Sequence, residues 1–274
     1  MIFQPETKRT DLAMELSDDL PEGVEVKNDV LGGFAVTDIQ LKSESAARAV
    51  GKAVGRYLTL EPRDSFEMIP SNADEYSIGL SEKLRELLQD ASSVFVAGLG
   101  NECITPDSLG PRVVSHIFAT RHIPTDAPEL DTKGLGLVSC AAPGVMGQTG
   151  IETAEFLNSL IEKVSPDAVI VIDALACQNP RHLGRTIQLT DAGISPGSGV
   201  MNSRSEVSRR TLGIPCIAIG VPTVADAGTK DEPLMVTPKN IDKLISTCAM
   251  IISGGINKCL HEGLTLGELR LLTA

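Results

Sequence analysis

The sequence predicts an α/β protein: a doubly wound, mostly parallel sheet with helices on both faces, plus antiparallel strands toward the N-terminus. Three observations carry this. The β-branched runs Val94–Ala97 and Val169–Ile172 are continuously apolar, as strands buried on both faces are. From residue 91 onward such strands alternate with amphipathic helical stripes, which implies parallel strands covered by helices. Before that, VEVKNDVLGGFAVTDIQL at 24–41 alternates on both sides of Gly32-Gly33, the pattern of an antiparallel hairpin. A length of 274 residues, at roughly 150 per domain, allows one or two domains. We expect one, with a strand-rich part over 12–90 and an α/β core over 91–274.

In chain order, residues 1–20 are charged and carry no helical or strand stripe, so a mobile arm is expected. The hairpin follows, then a strand at Arg56–Leu60, an irregular charged connection over 61–77, and a short helix marked by Leu80, Leu84, Leu87 and Leu88. After the strand at Val94–Ala97 a helix starts at Ser108 or Leu109, with Pro111 in its first turn, where a missing N–H costs nothing. Leu137–Ala142 is the next strand. Thr149 and Glu152 have capping-box spacing ahead of a helix with Ile151, Ala154, Leu157, Ile161 and Val164 on one face. Strands at Val169–Ile172 and Ile217–Gly220 come next. Thr237-Pro238 opens a last helix through Ile241, Leu244, Ile245, Cys248 and Ile252.

Composition excludes several functions. With 24 basic against 36 acidic residues the chain is net −12, and aromatics are only 3%, which argues against direct nucleic-acid binding. The six cysteines lack any CxxC and read as small reduced core residues. The N-terminus has no apolar signal region. The longest apolar stretch, Leu244–Ile256, is broken by Ser246, Thr247, Ser253 and two glycines and falls short of the roughly 20 residues of a membrane span. A soluble cytoplasmic protein with no membrane partner is expected.

Short motifs fail on their chemistry. Gly98-Leu99-Gly100 follows a strand, but Cys103 holds the third glycine position of a dinucleotide fingerprint and Thr105-Pro106 follow instead of a helix. No phosphate-binding GxxxxGK[ST] occurs. Gly193-Ile194-Ser195-Pro196-Gly197 has the form of a nucleophile elbow, yet Pro196 has no N–H for an oxyanion. The four histidines show no zinc spacing, and no cysteine is paired with one of them in sequence. What remains is carboxylate chemistry. Asp107 and Asp173 lie at or just beyond the ends of two predicted strands, the edge where open α/β sheets bind ligands. Asp107 reads equally well as a helix cap; Asp173, directly after four apolar residues, needs either a partner or a function.

The blocks RTDLAMEL, GLGNECITPDSLGPRVV, APGVMGQTGIET, PDAVIVIDALA, TIQLTDAGISPGSGV, LGIPCIAIGVPTV and LMVTPKNID, in order from Arg9 to about Gly255, resemble the germination protease family of spore-forming bacteria. The resemblance implies an atypical aspartic-type endopeptidase, similar in fold to hydrogenase maturation peptidases, that degrades small acid-soluble spore proteins in the germinating spore core. Asp107 and Asp173 fall on the family's essential aspartates. The resemblance further implies a homotetramer, cleavage after glutamate, and a zymogen. No cofactor or metal is expected, because two carboxylates can activate a shared water without one and the sequence offers no histidine-rich ligand set. Thr10-Asp11-Leu12-Ala13-Met14-Glu15 imitates the cut site in the substrates, so residues 1–11 are expected to be a propeptide removed at Asp11–Leu12, with residues 12–274 forming the peptidase. Acid is expected to favour the cut by removing repulsion between Asp11 and the two aspartates. The chain departs from the family at Cys177-Gln178, at 198–202, and in the short connection from Ala227 to Leu234.

For such an enzyme, backbone N–H groups at Gly98, Gly100 and Asn101, or at Gly144 and Gly147, are candidates to stabilise an oxyanion. Arg185, Arg204, Arg209 and Arg210 are the nearest candidates to bind an acidic side chain, although each also reads as a plain surface arginine. Two rivals remain at this stage: a metal-assisted maturation-type peptidase, and an inactive binding homologue.

Overall fold

In the computed structural model, residues 10–15, 21–70, 74–196, 205–228 and 234–273 are described. The strands are β1 (Val24–Leu31), β2 (Phe34–Leu41), β3 (Gly55–Pro62), β4 (Ser93–Gly98), β5 (Leu137–Ala141), β6 (Ala168–Cys177), β7 (Ile187–Thr190), β8 (Cys216–Asp226) and β9 (Met235–Val236). The helices are α1 (Glu44–Val50), α2 (Asp74–Leu88), α3 (Leu109–Val114), α4 (Ile123–Asp126), α5 (Met146–Thr149), α6 (Thr153–Val164), α7 (Arg209–Leu212), α8 (Ile241–Leu260) and α9 (Leu266–Leu272). Among the described residues no helix is long and apolar enough to cross a membrane.

All strands join one mixed sheet in the order β1-β2-β3-β7-β8-β6-β4-β5, with β9 on β8. Its core is parallel, formed by β8, β6, β4 and β5. The N-terminal strands pair antiparallel through a hairpin at Gly32-Gly33, where both residues take positive φ as a two-residue hairpin turn demands. They reach the core through β7, a four-residue strand absent from the sequence reading that runs antiparallel to both β3 and β8.

Helices cover both faces. Ile170 and Ile172 of β6 pack with α2, α3 and α8, while Val169 and Val171 pack on the opposite side with Ala154, Leu157 and Ile161 of α6. This alternation is the period-two geometry of a strand buried on both sides.

The structure corrects several boundaries. The third parallel strand does not stop at Ile172: β6 runs to Cys177, because β8 continues beside it through Asp173↔Gly220 and beyond, while β4 ends at Gly98↔Ile172. A charged residue inside a strand breaks the apolar run without breaking the ladder. Thr149 does not cap α6; it ends the preceding turn, α6 starts at Thr153 after Glu152, and Ile151 is exposed. α8 starts at Ile241, not at Thr237-Pro238, and passes through Ser253-Gly254-Gly255 to Leu260. α9, with its Thr265–Glu268 capping box, was not anticipated. Cys177, Cys216, Cys248 and Cys259 are buried as expected for core thiols, whereas Cys103 is exposed.

The largest correction concerns the N-terminal arm. Residues 10–15 are docked on the sheet, with Leu12 and Ala13 fully buried. Leu12 packs against Leu175, Cys177 and Ala225, and Ala13 against Ile39, Leu41 and Tyr57. Residues 1–9 and 16–20 lie outside the described residues.

Candidate active site

Asp107 ends a single 3-10 turn, Thr105–Asp107, between β4 and α3. Its position follows from backbone packing that only glycine permits. A Cβ on Gly98 would come within 2.2 Å of the Gly110 carbonyl oxygen, and one on Gly110 within 2.2 Å of that of Leu99. Gly100 has φ +105°, and a Cβ there would meet the Asp107 carbonyl oxygen at 2.0 Å. The chain therefore doubles back tightly from β4 into α3. Asp107 Oδ2 accepts the Asn101 N–H at 2.8 Å, which fixes the carboxylate against this loop. The glycines that resemble a nucleotide fingerprint serve this close approach instead.

Asp173 is 5% exposed and sits where β4 stops and β8 continues, one residue beyond the Gly98↔Ile172 pair. Its Oδ1 accepts the N–H of Ala174 at 2.9 Å. Leu99 N–H donates to the Ile172 carbonyl at 2.8 Å, tying the start of the Asp107 loop to the residue before Asp173. The turn carrying Asp107 also packs on β6, β8 and α8. Both carboxylates thus belong to one edge of the parallel core. Carboxylates gathered this way are able to share protons and activate a water.

Beside them runs the docked segment. Asp11 N–H donates to the Ala176 carbonyl at 3.0 Å, and Asp11 Oδ2 accepts the Ala176 N–H at 2.8 Å. Gln188 clamps the next peptide groups: its Nε2 donates to the Asp11 carbonyl at 3.1 Å and its Oε1 accepts the Ala13 N–H at 2.8 Å. Gln188 and Asp173 both pair with Gly220, so they project from the same face of the sheet. Ala176 lies three residues beyond Asp173, about 10 Å along the strand. Residues 10–15 therefore lie on the Asp173 face, alongside the end of β6.

The two glycine-rich segments named as oxyanion candidates come together, because Gln148 Nε2 donates to Asn101 Oδ1 at 2.9 Å. The Asn101 N–H itself is already engaged by Asp107. Gly98 and Gly100 are packed against backbone, Gly144 has positive φ beside Gln148, and Gly147 faces open space. Of the arginines, Arg185 and Arg209 are exposed, Arg210 pairs with Glu206, and Arg204 lies outside the described residues. A cation that does lie beside the docked segment among the described residues is Lys52, whose Nζ donates to the Thr10 carbonyl at 2.6 Å. Burial pushes the Lys52 pKa down, and the charges of Asp11 and Glu15 oppose that. Lys52 and Gln188 were missed by sequence reasoning: one is a single lysine after a short helix, the other lies in an unrecognised strand.

A cysteine nucleophile finds no support in the environment of the buried thiols. Burial, aided by the charge of Glu15, pushes Cys177 up to about 12, and burial pushes Cys216 up to about 12 and Cys259 to about 11. Thiolate is the reactive form, and these sites disfavour it.

Glu15 anchors the far end of the segment. Burial raises its pKa, but hydrogen bonds from Thr10, His182 and the backbone of Gln178 and Asn179 outweigh that and hold it below the ordinary value of 4.5. A carboxyl whose folded pKa is depressed stabilises docking above its unfolded pKa and loses that contribution as pH falls through the folded one. Docking through Glu15 should therefore survive pH 5 and fail only below the ordinary carboxylate range. Amide resonances of Leu12 and Ala13 followed by NMR from pH 6 to pH 3 test this; loss of their docked positions already near pH 5 contradicts it.

The family model described as germination protease matches residues 4–232. A germination protease of Caldanaerobacter subterraneus subsp. tengcongensis is 39% identical, over 96% of this chain and 97% of the relative. That of Clostridium tetani is 37% identical, over 95% and 98%. That of Priestia megaterium is 39% identical, over 97% of this chain and 75% of the relative. Among solved structures, a NiFe hydrogenase maturation protease from Thermococcus kodakarensis KOD1 aligns with TM-score 0.40 and 17% identity, over 65% of this chain and 98% of that one.

Proposed function

Since the chain belongs to the germination protease family, and is thus a hydrolase of an aspartic-type peptidase family, we propose that it is the endopeptidase that opens degradation of small acid-soluble spore proteins, cutting after glutamate. The observation that carries this reading is the peptide already lying on the Asp173 face: Thr10–Glu15, held by Ala176 and Gln188 at the edge where Asp107 and Asp173 belong.

In the proposed reaction a water lies between Asp107 and Asp173. The ionised member of the pair takes a proton from the water as its oxygen bonds to the scissile carbonyl carbon, while the neutral member donates its proton to the carbonyl oxygen. The tetrahedral intermediate then collapses. The C–N bond breaks, the nitrogen takes the proton held by the former base, and the intermediate's hydroxyl returns its proton to the other carboxylate. The reaction requires that the two carboxyls together hold one proton. Gln188, which donates to the Asp11 carbonyl, is the side-chain group suited to orient a peptide carbonyl here.

The same reading makes residues 1–11 a propeptide and residues 12–274 the peptidase domain, assembled as a homotetramer and acting in the forespore and spore core. Asp11 is one methylene shorter than glutamate and its carboxylate is engaged by the Ala176 N–H, so the segment is held beside the dyad and cut slowly. Incubation of purified chain should yield a new N-terminus at Leu12, absent in Asp107→Asn and formed faster in Asp11→Glu, as read by intact mass and N-terminal sequencing. An active enzyme that retains Met1 rejects the zymogen reading. Cleavage of a small acid-soluble spore protein at one glutamyl bond is the direct test of the function.

A further inference from the structure

The docked segment flanks the two aspartates on the side of β6 and β7. On the opposite side β4 continues into the Asp107 loop, and β5, its parallel neighbour, pairs up to Ala97↔Ala141 and continues into the α5 turn. That turn is exposed, and it stands between Gly144, with φ +76°, and Gly150, with φ +73°. A Cβ at Gly147 or Gly150 would meet nothing within 4 Å, so packing does little to hold the turn in place. Hydrogen bonds do it instead. Within the turn the N–H groups of Gln148 and Thr149 donate to the Val145 carbonyl at 2.8 and 3.1 Å. Outward, Gln148 Nε2 donates to Asn101 Oδ1 at 2.9 Å.

Asn101 is the junction of the Asp107 loop. Its N–H donates to Asp107 Oδ2 at 2.8 Å, its carbonyl accepts the Ile104 N–H at 3.0 Å, and its Oδ1 accepts the Cys103 N–H at 3.0 Å. Backbone N–H groups act only as donors, so Cys103 fixes which end of the Asn101 amide is the acceptor. The Val145 N–H, 3.4 Å from Gln148 Oε1, does the same for Gln148. The amino end of Gln148 is then left facing the second lone pair of Asn101 Oδ1. The two amides interlock in one orientation.

We propose that Gln148 is a positioning residue for Asp107, acting through Asn101 to hold the carboxylate where it shares a water with Asp173. The inference rests on the peptidase reading, in which Asp107 is half of the dyad. β5 anchors the turn, Gln148 carries the restraint across to the loop after β4, and Asn101 delivers it to the carboxylate. Acid and base must both stay within hydrogen-bond reach of one water, which makes such a restraint necessary. Without Gln148 the Asn101 amide keeps only its near neighbour Cys103, and the peptide that binds Asp107 drifts with the loop. A drift of about 1 Å is enough to lower turnover about 10²-fold, and a partial one lowers it less. The loss belongs to the chemical step, because Gln148 lies across the dyad from the docked peptide.

Gln148→Glu is the deciding variant: it keeps the size and the acceptor toward Val145, and replaces the donor toward Asn101 with a second acceptor. With processed enzyme and a glutamyl peptide, kcat should fall about tenfold while KM stays within about twofold. Gln148→Lys restores a donor of sufficient reach and should recover most of that loss. Asn101→Ala should lose at least as much, and adding Gln148→Glu to it should cost nothing further, as groups acting in series behave. Tm should hardly change, since the turn is exposed. A normal kcat in Gln148→Glu overturns the proposal, as do a loss carried by KM, losses that add in the double variant, or Gln148→Lys no better than Gln148→Glu. Should the wild type cut no peptide, the peptidase reading fails by itself. The restraint is then read by hydrogen exchange of the Asn101 N–H: exchange about tenfold faster in Gln148→Glu supports it, and an unchanged rate overturns it.

Discussion

Asp107→Asn and Asp173→Asn should each reduce peptide cleavage below detection while the folded state persists. Asparagine keeps the size of aspartate and can still accept the Asn101 N–H at position 107 or the Ala174 N–H at position 173, so the loop and strand geometry need not change. What is lost is the exchangeable proton. A single acid–base group typically contributes about 10²–10⁴ in rate, and groups that act as a unit lose more than that when either is removed. The double variant should accordingly be no worse than either single one. Rates of cleavage of a glutamyl peptide, with circular dichroism as the control for folding, decide the matter, and near-normal turnover in a folded single variant removes the dyad.

The second large effect should come from a residue with no side chain. Gly100→Ala places a Cβ where the Asp107 carbonyl oxygen lies 2.0 Å away, on a residue with φ +105° that other amino acids rarely adopt. The loop must shift, and Asp107 shifts with it. A misplacement on the order of 1 Å can lower turnover about 10²-fold. The accompanying strain should lower stability by about 1–3 kcal/mol. Gly147→Ala is the internal comparison, because a Cβ there meets nothing within 4 Å and should leave both quantities nearly unchanged. Equal behaviour of the two variants in kcat and Tm contradicts the argument that Gly100 exists to let Asp107 approach.

Much of the frame was legible along the chain. β4 and β6 are announced by β-branched runs because a parallel strand is buried on both faces and has no polar side to display. The hairpin shows itself through alternation around Gly32-Gly33, and Asp173 stands out because a carboxylate directly after such a run needs an explanation, whereas Asp107, well beyond its run, reads equally well as a helix cap. The boundaries were less legible. Asp173 hid the last part of β6, since the ladder to β8 depends on backbone groups and not on apolar side chains. Thr149 offered a capping box that the chain does not use, because Thr149 ends the turn at Met146–Thr149 and its hydroxyl accepts the Ile151 N–H instead.

The sequence by itself determined the parallel core and the hairpin, because these follow from patterns within a few neighbouring residues. The tertiary structure alone decided that residues 10–15 are docked and not a mobile arm, and that Lys52, Gln188 and His182 surround them. The physical reason is distance along the chain: the groups that hold the segment come from 42 to 177 residues away, and a charged six-residue stretch shows no period of its own. Its order comes from β6 and β7, which supply donors and acceptors that water would otherwise provide, and from the apolar pockets that Leu12 and Ala13 fill.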